Sequence, residues 1–172
     1  SLVHDAIDRM KKGDKIPTID LELKHKRCLQ SFIDWWNKEQ PQIIHHEYIV
    51  WAEDYAGTVD FKCRIKSDNY QKVWLIDYKT SKSIHAAHTV QVVSYLKADQ
   101  YMHQMGYGVG DPATDGAILH LGNTTIKKYS FLPIKDVEKN YALFKSFLTT
   151  FKLLRPNAQP TVEAYPEFFE LN

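Results

Sequence analysis

The chain has 172 residues, of which 22 are Lys or Arg and 21 are Asp or Glu, so its formal net charge is +1. With 44% hydrophobic and 25% charged residues it has the balance of one globular domain spanning 1–172, which excludes a disordered or fibrous chain. No apolar run approaches the ~18 residues of a membrane span, and near-neutrality argues against a protein that coats duplex DNA by charge alone.

The chain opens with apolar residues at helical spacing, namely Val3, Ile7 and Met10, before Gly13 ends the pattern. A helix already under way at residue 1 suggests an excised domain or missing upstream residues. A second helix is predicted over about 20–37, with one apolar side formed by Leu29, Phe32, Ile33 and Trp36.

The period then changes to that of strands. Three strands are predicted in succession over 42–55, 58–66 and 72–80, and a helix follows over about 85–105. Two short strands, 116–121 and 126–131, flank a turn at Gly122-Asn123. A last helix has apolar residues at steps of four and three, namely Val137, Tyr141, Phe144, Leu148 and Phe151; Pro156 ends it, and 156–172 is expected to be a loosely packed tail.

Consecutive strands joined by tight turns predict antiparallel pairing, and the helix after the third strand predicts a crossover. The expected fold is therefore α/β, with a central mixed sheet covered by helices.

Alternation along the strands predicts which side chains share a face. In the second strand one face is expected to carry Val59, Phe61, Cys63 and Ile65, and the other Asp60, Lys62 and Arg64. In the third strand Asp77 and Lys79 share a face with Val73 and Leu75. If Asp60 pairs near Asp77, two carboxylates roughly 4–6 Å apart and an ammonium converge at one end of the sheet.

A lone Asp-x-Lys element is more often a strand-end ion pair than a catalytic one. Asp77, however, follows an apolar stretch from Val73 to Ile76, which predicts a central strand. A charge in such a strand is costly unless it is paired or bound to a cation.

Three motifs follow one another, and they are Gly57-Thr-Val-Asp60, Asp77-Tyr-Lys79 and Gln91-x-x-x-Tyr95. The ordered set resembles the PD-(D/E)XK nuclease superfamily, specifically its RecB-like exonuclease branch. In that branch a GxxD strand precedes a hydrophobic (D/E)xK strand, and a QxxxY helix follows. Val3-His4 is similar to the branch's metal-binding histidine. The resemblance covers about residues 4–95 and implies the restriction-endonuclease-like fold.

The resemblance implies that Asp60 and Asp77 bind Mg²⁺ or Mn²⁺, helped by His4 and the main-chain carbonyl of Tyr78. A nitrogen ligand such as His4 would favour Mn²⁺. Lys79 is expected to orient the attacking water, lower its pKa and stabilise the charge of the transition state.

Each of the other candidate site residues has two interpretations. Glu47 shares parity with Ile49 and Trp51, and either assists the metals or caps a sheet edge. Gln91 and Tyr95 lie on one helical face and either support the site and contact nucleic acid or form a half-buried polar edge. The residues before that helix either bind backbone phosphate or form a solvated loop, and they are Thr80, Ser81, Lys82, His85 and His88.

The two cysteines, Cys28 and Cys63, form no CxxC motif, which favours a reducing interior compartment. The cysteines that hold an iron–sulfur cluster in CRISPR-associated exonucleases of this branch are absent. The chain is therefore similar to cluster-free, phage-type recombination exonucleases, and no iron–sulfur cluster is expected. The expected location is cytoplasmic, in a bacterial or phage-infected cell.

The expected function is a metal-dependent deoxyribonuclease, acting as an exonuclease on single- or double-stranded DNA in recombination, repair or phage DNA processing. A helicase or recombinase is the protein partner this would imply. One alternative is a catalytically silent nucleic-acid-binding or scaffolding module of the same fold, which the retained carboxylates and lysine disfavour. Another is an unrelated small α/β binding protein with accidental motifs. The sequence leaves open exonuclease or endonuclease mode, DNA or RNA, and oligomeric state.

Overall fold

A computed structural model of the chain describes residues 1–122 and 129–158. Within these ranges the elements are, in chain order, α1 (Leu2–Lys11), α2 (Leu23–Glu39), β1 (Gln42–Trp51), β2 (Ala56–Arg64), β3 (Trp74–Lys79), α3 (Ala86–Gln104), β4 (Asp115–Leu121), β5 (Tyr129–Pro133) and α4 (Val137–Leu154). The predicted helices and strands are confirmed in kind and order, with ends shifted by a few residues. Three predictions fall wholly or partly outside the described residues. They are the turn at Gly122-Asn123, the start of the fifth strand and most of the tail.

The strands form one sheet in the order β1-β2-β3-β4-β5. The β1–β2, β2–β3 and β4–β5 pairs are antiparallel, whereas β3 and β4 are parallel. Helix α3 makes the crossover between β3 and β4, because a chain must return along the sheet before it can start a parallel neighbour. The predicted α/β fold with a central mixed sheet is confirmed, and β3, which carries Asp77 and Lys79, is the middle strand.

Apolar side chains fill both faces of the sheet. A first core lies between the sheet and helices α1 and α2, and its largest buried members include Trp35, Phe61 and Tyr78. A second core lies between the sheet and α3 and includes Leu75 and Leu96. Each fully buried large apolar side chain favours folding by about 1.5–3 kcal/mol, so these two layers fix the strands in place.

The face predicted for Val59 is wrong. Phe61 and Cys63 lie in the first core as expected, but Val59 packs in the second core on the α3 side. The alternation is broken where Glu47 of β1, which lies across from Asp60, has a φ of 26°. Because β1 and β2 are paired on both sides of this left-handed residue, the irregular backbone turns part of both strands toward α3.

Helix α4 packs on the outside of α3, away from the sheet. Its Phe144 ring lies 4.6 Å from the Tyr55 ring, centroid to centroid, and the Lys97 ammonium of α3 stands over the Tyr141 ring at 5.6 Å. None of the helices in the described part of the chain combines the length and the apolar character that crossing a membrane requires.

Candidate functional site

Asp77 and Lys79, at the end of β3, are connected to α3 by a series of polar contacts. The Lys79 ammonium lies 2.6 Å from Asp77 Oδ2 and donates a hydrogen bond to Gln91 Oε1 at 2.8 Å. The Gln91 amide then donates to the Tyr95 hydroxyl at 2.8 Å. The structure thus brings together the Asp-x-Lys and Gln-x-x-x-Tyr motifs, and a charge-assisted bond holds the lysine in one orientation.

Gly57 of the first motif and Tyr95 of the third motif are in direct contact. Gly57, at the start of β2, lies directly against the Tyr95 ring. A Cβ atom at position 57 would overlap Cε1 of that ring, closer than real Cβ atoms approach a neighbour. The glycine therefore provides the space for the tyrosine, and the tyrosine accepts the hydrogen bond from Gln91.

Asp60 lies where β2 separates from β3. The pairing of the two strands ends at Phe61 and Ile76. Beyond that pair, the Tyr78 amide donates to Asp60 Oδ2 at 2.6 Å, where a regular ladder would offer a main-chain carbonyl. His4 of α1 places its Nε2 atom 3.7 Å from the same oxygen. His4 of α1 therefore lies beside Asp60, and its role as a metal ligand stays a prediction.

Burial is the first cause that raises the pKa of Asp60, and the negative charge of Asp77 is the second; together they bring it to about 6. The Tyr78 amide, His4 and Lys79 lower this pKa but do not offset the two larger effects. Two carboxyl groups that repel each other in a partly buried site favour either a shared proton or a bound cation.

The donor atoms fit a hard divalent cation, although they are not gathered around one point. Asp77 Oδ2 is buried and accepts no hydrogen bond of good geometry, even with the Lys79 ammonium close to it. A carboxylate oxygen of this kind has the ligand chemistry of Mg²⁺ or Mn²⁺. In the described part of the chain, however, no three His, Cys, Asp or Glu side chains are grouped closely enough to hold a metal ion.

The expected ligand set of His4, Asp60, Asp77 and the Tyr78 carbonyl is therefore only partly assembled. His4 and Asp60 are adjacent, but Asp60 is turned to the Tyr78 amide and Asp77 is turned to Lys79. The Tyr78 side chain is buried in the first core, so only its main chain can face the site.

Glu47 lies among the side chains of α1. It is exposed and lines a surface pocket with Asp8, Lys11, Lys12 and His46. A hydrogen bond with Asp8 is the first cause that raises the pKa of Glu47, followed by burial and the charge of Asp8. Of its two interpretations, these contacts support the one at the sheet edge, since β1 is an edge strand.

The side chains of the residues between β3 and α3 lie in different surroundings. Thr80 lines a cleft on the α1 and α2 side, together with Lys24 and His25. The Ser81 hydroxyl donates to the Ser83 carbonyl at 2.8 Å, and Lys82 is exposed. These positions leave both interpretations of the loop open.

His85 and His88 form a reciprocal cap at the start of α3. The His85 amide donates to His88 Nδ1 at 3.2 Å, and the His85 side chain accepts from the His88 amide. Burial and the nearby Lys79 charge lower the pKa of His88. The two imidazoles thus satisfy main-chain amides that a helix start leaves without partners.

His120 is a residue of this region that was not singled out from the sequence. It pairs with Lys79 across the parallel β3–β4 ladder, and its Nε2 donates to the Ser81 carbonyl at 2.7 Å. It therefore ties the loop after β3 to the end of β4. The sequence did contain a signal for this residue. His120 lies near the end of the strand that follows the crossover helix, and parallel neighbouring strands end at the same edge of a sheet.

Compared with known proteins, the chain matches no protein-family model and no curated protein sequence. The case for a function therefore depends on the residues of the site and on their geometry.

Proposed function

We propose that the protein is a metal-dependent nuclease that hydrolyses phosphodiester bonds in DNA. The observation that carries the proposal is the fixed position of Lys79, held between Asp77 and Gln91, at the end of the sheet where the charge of Asp77 acts on Asp60. This arrangement joins the three motifs that resemble the RecB-like branch of PD-(D/E)XK nucleases. The same resemblance implies the restriction-endonuclease-like fold.

Lys79 is suited to act on the charge that develops during hydrolysis. Its ammonium is mostly shielded, with 18% of the side chain exposed, so solvent screens its charge less than that of a surface lysine. A preorganised cation of this kind can orient an attacking water and stabilise negative charge on the phosphoryl oxygens. Gln91 fixes the orientation of the ammonium, and Tyr95 in turn fixes that of the Gln91 amide.

The two aspartates are the proposed binding groups for the cation. Mg²⁺ or Mn²⁺ held by Asp60 and Asp77, with His4 and the Tyr78 carbonyl as further ligands, would neutralise phosphoryl charge and lower the pKa of a bound water. His4 is held in position from α1, since its ring lies 5.8 Å from the Tyr78 ring, centroid to centroid, and its Nδ1 contacts the Ser1 hydroxyl at 2.5 Å.

We further propose that cleavage is exonucleolytic and that a helicase or recombinase supplies the DNA end. The motif resemblance is the support for this part of the proposal. A closed circular substrate distinguishes the modes, because an exonuclease leaves it intact and an endonuclease opens it.

The experiment that tests the proposal incubates the protein with single- and double-stranded DNA labelled at either end. Mg²⁺, Mn²⁺ or a chelator is added in parallel. We expect cleavage with either cation and none with the chelator, and loss of one end label before the other reveals the polarity. Binding of DNA without cleavage under all three conditions would instead indicate the silent binding module.

A further inference from the structure

His88 lies on the side of α3 that faces the end of the central strand. It comes one helical turn before Gln91 and two turns before Tyr95, so the three side chains share one face of the helix. Gln91 is bonded to the Lys79 ammonium, and the charges of Lys79 and Asp77 both act on the His88 imidazole. The half-buried His88 is therefore a neighbour of the proposed catalytic lysine.

The reciprocal cap with His85 holds the His88 imidazole in one orientation. The His88 Nδ1 atom accepts a hydrogen bond from the His85 amide at 3.2 Å, so the neutral ring carries its proton on Nε2. The His88 amide is bonded to the His85 side chain, so these main-chain groups of the helix start already have partners. Within residues 1–122 and 129–158 no hydrogen bond uses the Nε2 atom of His88. The ring thus offers one N–H donor to a ligand.

The two sides of the proposed site differ in charge. On the α1 side His4 lies 3.7 Å from Asp60 Oδ2, so this side carries a carboxyl group. On the α3 side the sequence from 78 to 98 contains no Asp or Glu. Its charged residues are Lys79, Lys82 and Lys97, and its histidines are His85 and His88. A segment with lysines and no carboxylates suits a phosphate, which acidic side chains would repel.

We propose that the Nε2–H of His88 donates a hydrogen bond to a backbone phosphate of the bound DNA strand, on the α3 side of Lys79. This inference rests on the proposed nuclease function, which supplies the nucleic acid. Contacts of side-chain N–H groups to phosphate oxygens fix the register of a strand and do not read its sequence. His88 is a binding residue in this role, and His85 positions its ring.

Substitutions at position 88 separate the phosphate contact from the helix cap. Glu and Gln are the residues that usually complete a reciprocal cap at this helix position, so His88→Glu and His88→Gln both keep an acceptor for the His85 amide. Of these two variants, only His88→Gln also keeps an N–H donor. Ala87→Glu, at an exposed neighbouring position, is the matched control that adds the same negative charge without replacing the ring.

The affinity for a fluorescein-labelled single-stranded DNA is measured by fluorescence anisotropy with a chelator present, so that no cleavage occurs. We expect His88→Glu to bind about tenfold more weakly than wild type, the scale for losing a hydrogen bond to a charged group. His88→Gln and Ala87→Glu should stay within about threefold of wild type. In a cleavage assay with Mn²⁺, His88→Glu should raise KM and leave kcat within about threefold, because the contact is the same in the ground state and the transition state.

Equal affinity in wild type and His88→Glu would overturn the inference. An equal loss in His88→Glu and Ala87→Glu would also overturn it, because charge alone would then explain the effect. So would an equal loss in His88→Glu and His88→Gln, because the N–H donor would then make no difference. A wild-type protein that binds DNA and never cuts it would contradict the nuclease proposal alone, since the affinities would still test the contact of His88. Circular dichroism and the melting temperature check that all variants are folded.

Discussion

The Tyr95 ring of α3 occupies the space left by the absent side chain of Gly57 in β2, and this contact joins the first motif to the third, 38 positions later in the chain. Through the Gln91 amide the same tyrosine is connected to the Lys79 ammonium. A backbone position without a side chain therefore helps to orient the charged group at the centre of the site.

Gly57→Ala should displace Tyr95 and with it the Gln91–Lys79 hydrogen bond. The added Cβ would overlap Cε1 of the ring, so ring or strand has to move. We expect kcat for DNA cleavage to fall by about 10- to 100-fold, the scale for a small misplacement of catalytic groups. Steady-state cleavage and thermal melting measure the two effects.

A double-mutant comparison provides the control for Gly57→Ala. Tyr95→Ala removes the atoms that the new Cβ would meet, so adding Gly57→Ala to it should cost little more activity. If Gly57→Ala lowers kcat equally with and without the Tyr95 ring, the steric coupling between the two residues is wrong.

Lys62 belongs to the structural framework and not to the proposed catalytic site, although it is two positions from Asp60. It is fully buried and donates to Asp99 Oδ1 at 2.8 Å and to the Val109 carbonyl at 2.9 Å. Lys62→Met leaves Asp99 buried without its cation, which should lower the free energy of unfolding by roughly 3–5 kcal/mol.

Urea unfolding measures the effect of Lys62→Met, and cleavage per folded molecule should stay within about threefold of wild type. Adding Asp99→Asn should restore part of the stability, because the buried negative charge is then removed. A folded Lys62→Met protein with normal stability and no activity would place Lys62 in the catalytic site instead.

Asp60 should make the protein less stable as the pH rises from about 4 to about 6. Its pKa in the folded state is about 6, above the ordinary 3.8, so over this range the folded protein keeps a proton that the unfolded chain has lost. The free energy of unfolding therefore decreases with rising pH, by roughly 1–3 kcal/mol in total, and levels off above the folded pKa.

Asp60→Asn tests this pH dependence, because it cannot ionise and still offers an oxygen to the Tyr78 amide. In the presence of a chelator, urea unfolding should show the variant to be more stable than wild type at pH 7.5 and equally stable at pH 3.5. A variant that is less stable at pH 7.5 would mean that the ionised carboxylate stabilises the fold.

His4→Ala should weaken Mn²⁺ binding by about tenfold, the scale for changing a group that supports a metal site. His4 lies 3.7 Å from Asp60 Oδ2 and carries a nitrogen suited to Mn²⁺. Calorimetric titration measures the affinity, with His25→Ala of α2 as a matched control. Equal affinity in wild type and His4→Ala would remove His4 from the proposed ligand set.

Much of the fold could be predicted because periodicity and turn residues act locally. The change from helical to strand spacing after α2, and the apolar stretch before Asp77, predicted the order of elements and the central position of β3. Alternation failed at Val59, because it assumes a regular extended backbone, and the neighbouring strand contains the left-handed Glu47. A sequence pattern on one strand cannot reveal such a backbone feature on another.

The site was predictable to the extent that it follows from motif spacing. Asp77, Lys79, Gln91 and Tyr95 are connected as the ordered motifs suggest. His120 was missed because its role depends on the register of β4 beside β3, which local sequence does not encode. Alternation along the strand also could not distinguish between a Glu47 side chain that faces the site and one that contacts Asp8.

The most direct test of the nuclease proposal compares Lys79→Ala with Asp77→Ala in a timed cleavage assay on labelled DNA with Mn²⁺, using Lys38→Ala, at an exposed position of α2, as control. Lys79→Ala removes a charge that acts on water and phosphate, so Mn²⁺ and DNA should still bind while cleavage slows by roughly 10²–10³-fold. Asp77→Ala should lose both Mn²⁺ binding and cleavage, and Lys38→Ala should cut like wild type. A folded Lys79→Ala protein that cuts DNA at the wild-type rate would contradict the account.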